Sequence, residues 1–270
     1  MEEAVTVRPR DERHGGSVGG EGPRPASERK RDPAARAIGE EVRGARPAEI
    51  PGRLCAVTVR LVDVTGAAVS LHASGMPVQL CASDELAAYL TETQATLGEG
   101  PCLAAAQAGA AVFAEDLAGG EGARRWPVFA MEATAAGIRA AYAVPLGGED
   151  AGAGPEGLGC LGTLDLYRRE PGPLGARDLR TARLLAGVMT VALMALPREE
   201  EGVLDPGWWL SGLATEHDEI YQATGMIMAQ LGVGADEAMA RLRGRAFAEE
   251  RTAVDVARDV VAQRTRFDRD

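Results

Sequence analysis

A thiolate is the strongest nucleophile that a side chain offers near neutral pH, so the four cysteines are the first place to look for chemistry. They stand at 55, 81, 102 and 160, without the close pairs that bind zinc or form a redox couple. Buried free thiols are their default reading. Cys102 has a distinct setting, because Gly98-Glu99-Gly100-Pro101 makes a turn and proline is tolerated in a first helical turn, where its missing donor would go unpaired anyway. A helix N-terminus lowers a thiol's pKa, so Cys102 is expected to carry a raised thiolate fraction. His72 could bind haem, yet a single histidine without an orienting partner is more simply an ordinary strand residue. Asp116, Asp165, Arg124 and Arg139 are side chains that would contact a polar ligand, or equally form turns and surface pairs. No metal and no cofactor is expected.

A second group of candidates lies near the C-terminus: Tyr221, Gln222, Thr224 and Gly225, then Arg243, Arg245 and Arg251. They must be positioned by helices. At helical period Trp209, Leu213, Ile220, Ala223, Ile227 and Leu231 share one stripe, with Tyr221, Gln222, Gly225 and Ala229 pointing away from it. Gly232 and Gly234 bracket the stop. The next helix opens with Ala235, Asp236 and Glu237, whose carboxylates suit an N-terminus, and stacks Ala238, Met239, Leu242 and Ala246. A third starts at Thr252, with Asp255 completing a shortened capping box, and buries Val254, Ala257, Val260 and Val261. Arg245 borders the buried stripe and has snorkelling as its alternative role, while Phe247 points away and would dock the third helix or a partner. A bundle of about 60 residues buries only about 60% of its unfolded surface, so it is expected to lean on a partner or on the helix leading into it. Periodicity alone leaves a helical dimerisation tail open.

The small residues Ala223, Gly225, Ala238 and Ala246, with the frame Ile220, Met226, Met228, Leu242, Val256 and Ala257, make this segment resemble the ANTAR family. The resemblance runs from about Ser211 to Phe267 and sets an expected domain at 211–268. It implies the RNA-binding module of transcription antiterminators. Such recognition reads unstacked bases by aromatic stacking, amide hydrogen bonds and arginine, with small residues admitting close backbone approach. Tyr221, Gln222, Thr224, Gly225, Arg243, Arg245 and Arg251 are the residues of those types on the expected surface.

Charge restricts how that could work. The chain of 270 residues has a formal charge of −11, which disfavours a general nucleic-acid coat acting by counterion displacement. From Ser211 onward eight arginines face eleven acids, so any contact must be local. The same balance, without a basic recognition helix, disfavours DNA binding by a helix-turn-helix. The N-terminus has no apolar core like that of a secretion signal, and the longest nearly unbroken apolar run, Leu184 to Leu196, is shorter than the roughly 18 residues of a membrane span. A cytoplasmic protein with reduced thiols and no membrane contact is expected.

Residues 1–48 are rich in Gly, Pro, Arg and Glu and are expected to be disordered. From 49 to 196 short strands and helices alternate. Leu54, Val57, Thr58, Leu61 and Val62 fit a helix, while Val57-Thr58-Val59 would suit a strand as well. Ala67–His72 and Met76–Cys81 read as a hairpin, and Ser83 is expected to cap a helix through Leu90. A helix from Cys102, a strand near Ala110–Ala114 and a helix after Arg125-Trp126-Pro127 follow, the last ended by Gly137. Arg139–Leu146 and Leu158–Tyr167 are the best strands. The closing helix, Leu179–Leu196, is apolar almost all round in its second half, so its extra surface should meet another helix or subunit. The class is α+β, an antiparallel sheet flanked by helices, followed by an all-α three-helix bundle beyond a linker at 197–210.

The segments QATLGEGPCLAA at 94–105, RWPVFAMEATAAGIRAAYAVPL at 125–146 and LGCLGTLDLYRREPGPL at 158–174 resemble GAF domains, most of all those joined to ANTAR modules. That resemblance implies that the first element is a helix paired with the closing helix. It also implies a pocket for a small molecule or a dimerisation scaffold, with Cys102, Asp116, Arg124, Arg139 and Asp165 as candidate ligand residues. Free-methionine sulfoxide reductases share the cysteine turn but need a second cysteine ahead of a later strand, where this chain has GIRAAYAVPL, so no enzyme is expected. The expectation is a homodimeric regulator that binds paired stem-loops in nascent RNA. The alternative is a ligand or redox sensor acting on another protein, with the tail serving only for dimerisation.

Overall fold

The computed structural model describes residues 33–73, 76–147, 160–195 and 217–268. Helix α1 (Pro33–Glu41) and a short 3-10 turn (Pro47–Glu49) lead into α2 (Ile50–Leu61). In α2 the buried residues Leu54, Cys55, Val57 and Thr58 repeat at helical spacing, and Thr58 Oγ1 donates to Leu54 O at 2.7 Å. Burial of that stripe overrides the β preference of Val57-Thr58-Val59. The expectation of disorder over 1–48 fails for 33–48: Ala34 and Ile38 are one turn apart and buried, and Arg60 pairs with Glu41 at 2.8 Å. Residues 1–32 lie outside the described residues.

The hairpin β1 (Gly66–Ala73) and β2 (Met76–Ala82) forms as expected. Helix α3 (Glu85–Leu97) is capped by Asp84 rather than Ser83, since Asp84 Oδ1 accepts from Ala87 N–H at 2.9 Å. Ser83 Oγ instead accepts from Ala67 N–H and donates to Asp84 Oδ2. The helix continues two turns past Leu90 because Thr91, Gln94 and Ala95 keep its inner side buried, and it stops at Gly98 with φ 71°. Next come α4 (Pro101–Ala108), β3 (Val112–Ala114), the short α5 (Gly120–Arg125), α6 (Pro127–Ala135), β4 (Ala140–Leu146), β5 (Gly162–Arg168) and α7 (Ala176–Met194). The three-helix tail is α8 (His217–Leu231), α9 (Ala235–Ala248) and α10 (Ala253–Val261).

The sheet is antiparallel throughout, in the order β2-β1-β5-β4-β3. Period-two alternation gives it two different faces. Ala67, Val69, Leu71, Val144, Leu164 and Leu166 pack beneath α2 and α7, which confirms the pairing of first and closing helices. Ala68, Ala141 and Tyr167 face the other way, toward Leu90, Phe129 and Ile138. Gly162 is required where β5 crosses β1, because a Cβ there would collide with Ser70 O.

The tail is a closed bundle around Ile220, Ala223, Ile227, Ala238, Leu242, Ala246, Val254, Ala257 and Val260, as the stripes indicated. Thr252 is the N-cap of α10, its Oγ1 accepting from Asp255 N–H and donating to Asp255 Oδ2. Trp209, Leu213 and the linker at 197–210 lie outside the described residues. Among the described residues no helix is long and apolar enough to cross a membrane, and no group of three His, Cys, Asp or Glu could hold a metal.

Candidate functional site

The sequence-named polar residues fall in two regions, spread over the bundle helices and set inside the sheet domain. On α8, Gln222, Gly225 and Ala229 are exposed, and Gly225 has open space where a side chain would stand. Tyr221 is not on that open face: it is half-buried and packs against the core between the sheet and α2/α7. A projection of α8 alone does not register that the sheet domain lies on that side. Thr224, expected at the surface, is buried and donates to Ile220 O at 2.7 Å, because the stripe is wide enough to take the residue one turn after Ile220.

The three candidate arginines are all engaged. Arg243 Nε donates to Ala95 O, at the end of α3, at 3.1 Å, and burial lowers the pKa of its guanidinium. Arg245 binds Glu249 at 2.7 Å and Arg266 O at 3.2 Å, with its guanidinium 5.3 Å from the Phe267 ring centre. Arg251 bridges Glu249 and Asp259 and also donates to Asp255 O. Around them Arg258 pairs with Glu219 and Arg264 with Asp259. Hydrogen bonds from Arg245 and Arg251 respectively hold the Glu249 and Asp259 carboxyls below the ordinary range. Phe247 stays 54% exposed rather than docking α10.

Inside the sheet domain the polar residues follow the register. Gln79, Ser70 and Thr163 form a row across β2, β1 and β5, on the face turned toward α3, α4 and α6. Asp165 and His72 lie two residues along from members of that row, on the same face. Ser70 Oγ donates to Asp165 Oδ2 at 2.6 Å, while Asp165 Oδ1, Thr163 Oγ1, Gln79 Oε1 and His72 Nε2 are buried with no hydrogen-bond partner. Burial raises the Asp165 carboxyl to about 7 and lowers the His72 imidazole to about 4. Beside them the Tyr167 hydroxyl meets Thr91 Oγ1 at 2.9 Å and accepts from Gln94 Nε2 at 3.0 Å, and Gln94 Oε1 accepts from Cys102 N–H at 3.0 Å. Buried polar atoms left unpaired are costly, so this face is suited to a small molecule that supplies complementary hydrogen bonds.

Of the five sequence-named ligand candidates, only Asp165 and Cys102 belong to this interior. Cys102 packs with Ala143, the cross-strand neighbour of Asp165, and is fully buried. Burial, reinforced by Asp165, pushes its thiol pKa up, which corrects the expectation of a raised thiolate fraction: desolvation outweighs the start of α4. Asp116 and Arg139 pair with each other at 2.8 Å, and Arg139 holds the Asp116 carboxyl below its usual range. Arg124 is exposed on α5. Sequence reading passed over Ser70, Gln79, Thr163, Tyr167 and Gln94. The available signal was a run of polar residues at period two, Ser70-His72 and Thr163-Asp165-Tyr167, inside otherwise apolar strands.

Residues 211–261 match the family model of the ANTAR domain, so the C-terminal bundle, which follows an α+β sheet domain, is similar to that domain. Solved structures similar to the chain include the GAF domain of a phosphoenolpyruvate-protein phosphotransferase from Coxiella burnetii, at 14% identity and TM-score 0.45 over 60% of this chain and 90% of that one. The GAF domain of the Acinetobacter phosphoenolpyruvate-protein phosphotransferase overlaps at 12% identity and TM-score 0.43, over 59% and 89%. A type II free methionine-R-sulfoxide reductase from Thermoplasma acidophilum overlaps at 11% and 0.40, over 56% and 93%. Strand order and helix placement, rather than these overlaps, define the fold of the sheet domain. None of the curated proteins matches the chain.

Proposed function

We propose that the chain is an RNA-binding regulator of transcription antitermination, in which the sheet domain acts as a GAF-type sensor and the ANTAR bundle binds paired stem-loops in nascent RNA. The observation that carries this reading is the family match over 211–261, the family being the RNA-binding module of antiterminators. The exposed Gln222 and Gly225 supply an amide and an open backbone approach on α8, the kinds of group that read unstacked bases. Two hairpins call for two bundles. On α7 the side chains Leu184, Val191 and Met194 are exposed on one helical stripe, a surface suited to the same stripe of a second copy. Tethering two bundles raises effective concentration and offsets weak contacts made by each.

The test is capture from a pool of RNAs, each bearing two stem-loops with randomised hexaloops, followed by titration of the enriched sequence. Gln222→Ala is expected to weaken binding about five- to tenfold, the worth of one or two hydrogen bonds to a base, with dimer mass unchanged. No enrichment over a pool lacking stem-loops would end this reading.

A further inference from the structure

The sheet domain touches the bundle through the last turn of α3 and through the side chain of Tyr221, which packs against the sheet-domain core. Ala95 is buried with the bundle core, and Ala253 N–H, at the start of α10, donates to Thr96 Oγ1 at 3.1 Å. Arg243 reaches Ala95 O from α9 and lies so close over Gly98 that a Cβ there would stand 2.7 Å from Nη1. The final carbonyls of a helix lack partners within it and sit at the negative end of its dipole, so a guanidinium is attracted there.

Arg243 differs from its neighbours. Arg241, Arg245, Arg251, Arg258 and Arg264 each pair with a carboxylate, whereas Arg243 meets none among the described residues and has a neutral carbonyl as its acceptor while half-buried. A desolvated guanidinium on one carbonyl is weakly compensated. A phosphate, accepting charge-assisted and bidentate hydrogen bonds, is the stronger partner.

We infer that the docked arrangement is a closed state, in which the end of α3 withholds Arg243 from RNA phosphate, and that releasing the bundle from α3 raises RNA affinity. The inference rests on the RNA-binding reading above. Tyr221, half-buried against the sheet-domain core, is partly withheld in the same state. A signal has a short route to this contact, because adjacent residues of α3 serve the two sites. Gln94 holds Tyr167 and the Cys102 amide inside the sheet domain, while Ala95 and Thr96 hold the bundle outside. A small molecule that takes Gln94 or Tyr167 as its partner thereby acts on the turn that bears the bundle.

The full-length chain is compared with Ala95→Arg, which sets a charge into the contact, and with Thr96→Val, a milder change that removes the acceptor for Ala253 N–H. Hydrogen exchange at the end of α3 and the start of α10 reads docking, and fluorescence anisotropy with the two-hairpin pool reads affinity. If the closed form holds about nine-tenths of the population, release raises apparent affinity about tenfold for Ala95→Arg, and about threefold is expected for Thr96→Val. Faster exchange with unchanged or weaker binding overturns the closed state and leaves the RNA reading standing. Unchanged exchange in both variants overturns it as well, since α3 would then not be holding the bundle. No binding by any of the three chains removes the RNA reading and the closed state together. Should Ala95→Arg misfold, Thr96→Val decides.

Discussion

Asp165 and Arg251 both sit in hydrogen-bonded polar clusters, yet their surroundings differ in kind. Asp165 is fully buried, satisfied on one oxygen by Ser70 and unsatisfied on the other, among groups that also lack partners. Arg251 is partly exposed and joined to two carboxylates and a carbonyl, in a network whose members satisfy one another. The sheet domain thus holds buried polar groups without protein partners, where low dielectric strengthens each hydrogen bond, and the bundle pairs its charges with one another at its partly exposed surface, where each pair contributes little. A ligand has more to gain from the first region. A charged polymer gains from the second only by exchanging partners.

The largest effects that would break this contrast come from the interior. Asp165 is raised from 3.8 to about 7, so its neutral form favours the fold: that stability is present below the unfolded pKa and is lost as pH rises toward 7. His72 is lowered from 6.5 to about 4, so its contribution is present above 6.5 and is lost as pH falls toward 4. Each is on the order of 3 to 5 kcal/mol, and in the native chain the two slopes oppose one another. Asp165→Asn is expected to leave a protein that weakens toward acid, between about pH 6.5 and 4, and His72→Phe one that weakens as pH rises from about 4 to 7, as read by denaturant unfolding across the range. Parallel profiles in the two variants would mean that these groups are solvated.

Leu242→Ala, in the bundle core, should lose about 3 kcal/mol through its cavity and should melt the bundle ahead of the sheet domain. Circular dichroism with hydrogen exchange separates the two events. Thr252→Ala removes the cap of α10 and is expected to lose about 1 kcal/mol, with exchange rising first at Asp255. Arg251→Ala is the smallest: its ion pairs are partly exposed and screened by water, so the melting temperature should shift little, and a clear loss would show that the bundle's network is structural after all.

Much of this molecule was legible along the chain because it follows from periodicity. The stripe of Ile220, Ala223, Ile227 and Leu231, the cap at Thr252 and the alternation of β1 and β5 are local properties, and each appears where expected. Three of the features that were not legible share one reason: they depend on what lies opposite. Tyr221 projects away from its own bundle and meets another domain; Cys102 begins a helix and is covered by a sheet; α1 is too short to stand alone and is held by two buried residues. The candidate site was half visible. Asp165 was named for its charge, but Ser70, Thr163 and Gln79 become partners of the same row only through strand register, which no single strand contains.

The central claim is that an acidic chain grips folded RNA through its helical tail, two copies at a time. Native mass spectrometry of the full-length chain with the enriched two-hairpin RNA, at low ionic strength, tests it most directly. The account requires a complex of two chains with one RNA that dissociates as salt is added. A spectrum showing only free chain and free RNA at every ionic strength would contradict it.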